Sequence, residues 1–191
     1  MTSHPIRIPA QEPDDWSDAT QAHLAQVVGV GSVRRPVHLP AVIAHHPNLL
    51  GPYLGWAKAV ALGGVLDPRH AELIALRTAL RCRSPFEWGV HTQYAAGRAG
   101  MSEDEIAAVA TDPRGERWTT LERALLQAAD DLHDTGTIGD ETWAELERRL
   151  DTAARLEVAV VAGHTTMLSM IANATGAVGE ASWPQLPPVG P

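Results

Sequence analysis

Start signals for helices recur along almost the whole chain. A proline follows Asp67 and again follows Ser84, and Ser102 and Thr119 each stand three residues before a glutamate, which is the spacing of a capping box. Ala, Leu, Glu and Arg are frequent between these signals, while the apolar-polar alternation typical of strands is almost absent. The pattern predicts an all-α fold. The predicted helices span residues 17–29, 37–46, 48–63, 68–82, 85–99, 103–110, 120–134, 140–149 and 152–176.

The length of the chain fits one well-buried domain. It has 191 residues, of which 45% are hydrophobic and 20% charged, a composition typical of a globular protein. Prolines are concentrated near both ends, where they disfavour regular structure. We therefore predict a single domain over residues 1–191, with proline-rich extended arms at residues 1–15 and 179–191.

Charge and cysteine content narrow the range of partners and chemistries. Fifteen basic and 23 acidic residues give a net charge of −8, which disfavours nucleic acid and anionic membranes as partners. No apolar run approaches the ~20 residues of a membrane span, and the first 15 residues have no secretory signal pattern, so we expect a cytoplasmic protein. Cys82 is the only cysteine, which excludes an intrachain disulfide, and we expect it to fill space at a helix end.

Glu87 and His91 are the most prominent chemical pair. Four residues apart at the start of a predicted helix, they lie on one helix face, where they could move a proton to and from a substrate near neutral pH. Ser84, Pro85 and Glu87 also have the spacing of a capping box, which would give Glu87 a purely structural role. The sequence leaves both interpretations open.

Three further polar residues lie in apolar helices. Glu72 is either a carboxylate whose pKa is raised by apolar surroundings or an exposed acid in a first helical turn. Arg77 could pair with a carboxylate of the protein or of an acidic substrate, or could lie on the surface. His164 falls in the most apolar segment, residues 152–176, as a core histidine with a partner or as part of a pocket wall.

A metal site is an alternative use of these side chains. Glu72, Glu87, His91 and His164 offer two carboxylates and two imidazoles, which suit a divalent ion. No second ligand motif repeats on another helix, as a di-iron bundle would need, so we expect no metal. Phosphate-binding glycine loops and serine nucleophile elbows are also missing from the sequence.

Six segments of the chain together form a recognisable pattern. They are Ala44-His45-His46-Pro47-Asn48-Leu49-Leu50, Glu72-Leu73-Ile74-Ala75-Leu76-Arg77, Glu87-Trp88-Gly89-Val90-His91, Ala95 to Ile106, Ala128 to His133, and Gly163 to Asn173. The pattern resembles the carboxymuconolactone decarboxylase-like proteins of the alkylhydroperoxidase D-like (AhpD-like) superfamily, and the resemblance covers about residues 35–178. It implies an AhpD-like helical bundle that assembles as a homo-oligomer: a dimer, trimer or hexamer.

The resemblance also indicates which branch of the family fits. The peroxidase branch uses two cysteines, a histidine and a glutamate, and these positions correspond to Ser84, Glu87, His91 and Glu72 here. Because both cysteines are replaced, the chain resembles the cysteine-less decarboxylase branch. The type reaction of that branch removes carbon dioxide from a carboxylated unsaturated lactone without a metal or an organic cofactor.

The resemblance leads to specific expectations for the site. We expect His91 to be the acid, with Glu87 or Glu72 orienting it or relaying the proton. Substrate contacts are expected from Ser84, Trp88, Arg77 and His164. The leading hypothesis is a cofactor-independent lyase or isomerase acting on a small lactone or related organic acid. The alternatives are a stress-related or ligand-binding protein of the same fold without turnover and, behind it, a metal-dependent enzyme or a peroxidase.

Overall fold

The computed structural model of the protein describes residues 5–28 and 38–188. Within those ranges it contains nine α-helices and no strand, which confirms the predicted all-α class. Residues 1–4, 29–37 and 189–191, which include parts of both predicted arms and one end each of two predicted helices, lie outside the description. The helices are α1 (Asp18–Val28), α2 (His38–Ile43), α3 (Pro47–Leu62), α4 (Pro68–Arg81), α5 (Pro85–Gly97), α6 (Glu103–Thr111), α7 (Thr120–Thr135), α8 (Asp140–Glu147) and α9 (Thr152–Thr175).

Capping boxes start α6 and α7, as the sequence predicts. The hydroxyls of Ser102 and Thr119 accept the backbone N–H of Glu105 and Glu122, whose carboxylates accept the N–H of the capping residue in return. Arg69 of α4 joins the two boxes, because its guanidinium lies 2.6 Å from the Glu105 carboxylate and 2.7 Å from that of Glu122. The hydrogen bond from Arg69 is the largest of the interactions that lower the pKa of Glu105 to about 2. The starts of three helices are thereby held together.

The chain separates into two compact units. The first comprises residues 1–63 and 171–178, and the second comprises residues 64–170 and 179–191. The first therefore contains α1, α2, α3 and the last turn of α9, and the second contains α4 to α8, most of α9 and the C-terminal segment. The single domain expected from the chain length stays a prediction.

The first unit has a small core around α3. Helix α3 packs against α1 and α2, and Leu24, Ala44 and Leu50 form a buried apolar cluster. The N-terminal segment also belongs to this unit, since the N–H groups of Arg7 and Ile8 donate to the carbonyl oxygen of Thr175. A short 3-10 turn, Pro13–Asp15, interrupts the predicted arm.

The second unit is organised around α4. This helix packs against α5, α6 and α7, and nine consecutive residues of it, 72–80, are buried. Apolar side chains from these four helices and from the loops before α6 and α7 form the main core cluster. Its larger members are Leu73, Leu76, Leu80, Trp88, Met101, Val109, Trp118 and Leu126.

The C-terminal segment folds back onto α5 instead of extending away. The Trp183 ring packs edge-to-face on Phe86, with centroids 5.6 Å apart. Gly89 makes this approach possible, because a Cβ at that position would lie 2.5 Å from a Trp183 ring carbon. Leu186 then packs against the core cluster. The predicted arm is therefore a packed part of the second unit over residues 179–188.

Helix α9 is long and apolar enough to cross a membrane by length and composition alone. Passing this test does not make α9 a clear membrane-spanning helix. Core helices pass the same test, and Val158, Val161, Ala162 and Leu168 of α9 are buried in the fold. The length of α9 is thus weak evidence for a membrane span.

The contact between Gly89 and Trp183 is testable by adding a methyl group. We expect Gly89→Ala to lower the free energy of unfolding by about 1–3 kcal/mol, because the new Cβ overlaps the rigid Trp183 ring. Gly97 is the matched control, since it belongs to the same helix and has open space around its Cβ position. Gly97→Ala should be neutral or slightly stabilising. Equal urea-unfolding midpoints for the two variants would contradict the packing described here.

Candidate active site

Three helices of the second unit bring together two carboxylates and two imidazoles. Glu72 lies on α4, Glu87 and His91 lie on α5, and His164 lies on α9. His91 Nδ1 is 2.7 Å from a Glu72 carboxylate oxygen, which is a hydrogen bond. His91 Nε2 is 3.6 Å from a Glu87 carboxylate oxygen, beyond hydrogen-bond distance. Both nitrogens of one imidazole therefore face a carboxylate.

The geometry at the start of α5 separates the two interpretations of Glu87. The Ser84 hydroxyl caps the helix by accepting the Glu87 backbone N–H at 3.3 Å. The Ser84 N–H, which a capping glutamate would accept, instead donates to the carbonyl oxygen of Ala79 at 3.0 Å. The Glu87 carboxylate is consequently directed at His91, with 2% of the residue exposed. Ser84 has the structural role here, which leaves its expected contact with substrate a prediction.

His91 is a cation over the whole physiological pH range. Burial opposes its charged form, but the hydrogen bond to Glu72 and the charges of Glu72 and Glu87 outweigh burial and raise the pKa of His91 to about 10. The expectation that this imidazole titrates near neutrality is therefore wrong. The reason is that two carboxylates stabilise the imidazolium, one at each nitrogen.

His164 of α9 lies within range of the same charges. Burial lowers the pKa of His164, the charge of Glu87 opposes this, and the positive charge of His91 adds to it. These electrostatic influences show that His164 lies near both Glu87 and His91. The structure thus brings Glu72 and Glu87 to His91, with His164 within range of the charges of Glu87 and His91.

Tyr94 is a neighbour of His91 that the sequence analysis did not single out. Its ring meets the His91 ring edge-on, with centroids 6.1 Å apart, and it is 45% exposed. The Arg98 guanidinium lies 5.8 Å from the centroid of the Tyr94 ring. The three-residue spacing between His91 and Tyr94 is a signal that could have identified this contact.

Arg77 pairs with a carboxylate of the protein, which is one of the possibilities that the sequence leaves open. Its guanidinium donates to both carboxylate oxygens of Asp130, at 2.7 and 2.8 Å, and to the carbonyl oxygen of Val109. Five residues along a helix amount to a rotation of roughly 140°, so Arg77 and Glu72 leave α4 in different directions. The structure does not bring Arg77 to the site, and its expected contact with substrate has no geometric support.

Trp88 belongs to the core and not to the group of polar side chains. It is 2% exposed and packs with Leu73, Leu76 and other apolar residues of the main cluster. Its burial favours a packing role over the expected substrate contact.

Among residues 5–28 and 38–188, no group of three or more His, Cys, Asp or Glu side chains is arranged to hold a metal ion. Cys82 ends α4, and burial raises the pKa of its thiol, although nearby hydroxyls and Arg81 act in the opposite direction. A raised pKa disfavours the thiolate form that peroxide reduction requires.

The pKa of His91 predicts a pH-dependent contribution to stability. Because that pKa is about 10 in the folded protein and near 6.5 when unfolded, the contribution is complete below pH 6.5 and disappears as the pH approaches 10. We therefore expect the difference in unfolding free energy between the wild type and His91→Gln to fall by at least about 1 kcal/mol from pH 6 to pH 10. Urea unfolding at several pH values measures it. A difference independent of pH would contradict a charged His91.

Comparisons with known proteins agree with this fold. Residues 47–131 match the model of the carboxymuconolactone decarboxylase family. No curated protein matches the chain by sequence at a significant level.

Solved structures are similar over nearly the whole chain. A peroxidase-related protein from Silicibacter sp. TM1040 shares 16% identity with a TM-score of 0.79, covering 96% of this chain and 97% of that one. An alkylhydroperoxidase AhpD core protein from Ralstonia eutropha JMP134 shares 17% with a TM-score of 0.73, covering 93% and 94%. The debrominase Bmp8, as a cysteine-to-alanine variant in complex with 2,3,4-tribromopyrrole, shares 16% with a TM-score of 0.76, covering 94% of each chain. At these identities the similarity establishes the AhpD-like fold.

Proposed function

We propose that the protein is a cofactor-independent lyase or isomerase that acts on a small lactone or a related carbonyl acid, with His91 as the proton donor. The observation that carries this proposal is that a cationic imidazole is held between two carboxylates, with one nitrogen hydrogen-bonded and the other only loosely engaged. An imidazolium so placed can donate one proton without losing its orientation.

The two nitrogens have different roles in this proposal. The hydrogen bond of Nδ1 to Glu72 fixes the ring plane and remains in place when the ring becomes neutral. The 3.6 Å separation at Nε2 leaves its proton available to a substrate atom that approaches more closely than Glu87 does. Glu72 is therefore a positioning residue, and His91 is the catalytic residue.

A decarboxylation at this site would consist of the loss of carbon dioxide followed by protonation of the remaining carbon. The bond between the substrate carbon and its carboxylate breaks, its electron pair enters the conjugated carbonyl system to form a dienolate, and carbon dioxide leaves. The Nε2–H bond of His91 then breaks as the proton forms a new C–H bond on the dienolate. A proton from water restores the imidazolium, and Glu87, next to Nε2, is placed to relay it. In an isomerisation the same groups would move a proton between two substrate carbons.

The charge of the group is compatible with this reaction. Glu72 and Glu87 carry two negative charges and the imidazolium of His91 carries one positive charge. The group therefore has a net charge of −1. A substrate carboxylate beside Glu87 would be repelled, and that repulsion is relieved when the carboxylate leaves as neutral carbon dioxide.

We further infer that the chain belongs to the carboxymuconolactone decarboxylase family, in the branch without the cysteine pair. The residues that match the family include Glu72, Glu87 and His91, so the core of the proposed site lies inside the matched region. Cys82 remains in the chain, two positions before Ser84, and cannot by itself replace a pair of cysteines. His164 lies outside the matched region.

Replacing His91 tests the proposed reaction. We expect His91→Ala to lower turnover of a carboxylated unsaturated lactone by ~10²-fold or more, because general acids and bases typically contribute 10²–10⁴-fold. Release of carbon dioxide and loss of substrate absorbance measure the rate. Glu87→Gln should also lower it, since an amide cannot relay a proton. Glu105→Gln is the matched control, because Glu105 occupies the same position in a true capping box outside the site and Gln can still cap.

The outcomes distinguish this proposal from its alternatives. Full activity in both His91→Ala and Glu87→Gln would overturn the site assignment. Saturable binding of lactone acids without turnover would instead favour a ligand-binding protein of the same fold. 2,3,4-Tribromopyrrole belongs in the panel as a ligand, since one structure of this fold contains it.

We also propose a homo-oligomer, with the number of subunits open between dimer, trimer and hexamer. Large apolar side chains are exposed in both units, among them Leu62 at 63% and Val65 at 62%, and Leu156 and Met170 of α9 at 67% and 66%. Exposed apolar residues at this density are typical of surfaces that another subunit covers. Light scattering should return a multiple of the 20.5 kDa chain mass at micromolar concentration. A monomer under those conditions would refute the idea.

A further inference from the structure

One face of α9 is apolar and exposed. Leu156, Met167 and Met170 are 67%, 39% and 66% exposed, and Ala159 and Gly163, which lie between Leu156 and Met167, are exposed too. These positions recur at intervals of three or four residues, so they share one side of the helix, and all of them belong to the second unit. We call this surface the α9 stripe. A continuous exposed apolar surface is typical of a site that another molecule covers.

Gly163 is the centre of the α9 stripe, seven residues from Leu156 and seven from Met170. Its backbone is helical, and open space surrounds the position that a Cβ would take, so no contact within the described parts of the subunit requires a glycine there. Glycine destabilises the interior of a helix relative to alanine, but it allows another backbone to approach closely. A second helix that crosses α9 at Gly163 would account for this residue.

Charge favours a second copy of the chain as the molecule that covers the α9 stripe. Residues 158–175 contain no Asp, Glu, Lys or Arg, while the whole chain carries a net charge of −8. Two copies therefore repel each other over most of their surface, and at the stripe they can meet without opposing like charges. Helices that lie on a lipid surface are typically rich in Lys and Arg, whereas α9 has only Arg155, which pairs with Glu147.

The α9 stripe is complementary to itself when the second copy runs antiparallel. If two copies cross at Gly163, positions equally far before and after this residue lie at the same level. The middle of the stripe's first half is about one helical turn before Gly163, and Met167 is about one turn after it. Four residues spaced i, i+3, i+4 and i+7 border a hole that a knob from a facing helix can fill. The residues with this spacing are Leu156, Ala159, Val160 and Gly163.

We propose that two copies of the chain associate through their α9 stripes, antiparallel and related by a two-fold axis at Gly163. Met167 of each copy enters the four-residue hole of the other, and the two-fold symmetry forms this contact twice. The inference rests on the proposed homo-oligomer, to which it adds the contact surface and the symmetry. It does not depend on the reaction at His91.

Cross-linking between introduced cysteines tests the antiparallel arrangement in a Cys82→Ser background. Leu156 and Met170 lie about 21 Å apart along one helix, beyond the span of a short bismaleimide, but in the proposed pair each faces the other residue on the partner. The double variant Leu156→Cys/Met170→Cys should therefore give cross-linked dimers on a denaturing gel, while neither single variant should. Efficient cross-linking of a single variant, or none in an oligomeric double variant, would overturn the proposal.

A charge at the axis tests the location of the interface. Gly163→Glu brings two carboxylates together at the axis, so we expect it at least to halve the mass measured by light scattering, with the helical circular dichroism retained. Gly97→Glu is the matched control, because Gly97 is also an exposed helical glycine with open space around its Cβ position, and it should keep the wild-type mass. An unchanged mass in Gly163→Glu would overturn this interface and leave the homo-oligomer in place. A monomeric wild type that sediments with phosphatidylcholine vesicles would assign the stripe to a membrane and overturn both.

Discussion

The charged side chains of α4 each require a partner, and this requirement organises the second unit. A helix with nine consecutive buried residues cannot leave a guanidinium or a carboxylate unpaired without a large desolvation cost. Glu72 pairs with His91 of α5, and Arg77 pairs with Asp130 of α7. Arg69, at the start of the helix, pairs with two glutamates of α6 and α7. The ionic contacts of α4 therefore join it to three neighbouring helices at defined positions.

The proposed active site is built on one of these contacts, the pair of Glu72 and His91, to which Glu87 adds a second carboxylate. Where Arg77 and Asp130 neutralise each other through two hydrogen bonds, His91 receives one carboxylate at each nitrogen, and the group keeps a net negative charge. Two carboxylates held this close would repel each other without a cation between them, and for this reason the pKa of His91 is high. The same electrostatics that stabilise the imidazolium supply the proton for the proposed reaction.

Three Ser/Thr-x-x-Glu motifs start helices in the described part of the chain, and two of them form complete capping boxes. At α6 and α7 the glutamate returns to the capping residue and also binds Arg69. At α5 the N–H of Ser84 is already bonded to the carbonyl oxygen of Ala79, so Glu87 has no capping role left and can serve His91. The tight turn between α4 and α5 thus changes the use of the motif.

Local interactions made much of this structure predictable. Capping residues, prolines and helix formers act within a few positions of one another, which is why the predicted helices agree with the observed ones to within a few residues in the described parts. The pairing of Glu87 with His91 follows from helical spacing in the same way.

Contacts between helices cannot be predicted from such local rules. The partner of Arg77, the burial of Trp88, the contact of Tyr94 with His91 and the return of Trp183 to Gly89 all depend on which helix faces which. The pKa of His91 depends on Glu72, 19 positions away along the chain, because only tertiary packing brings a second carboxylate to the other side of the imidazole ring.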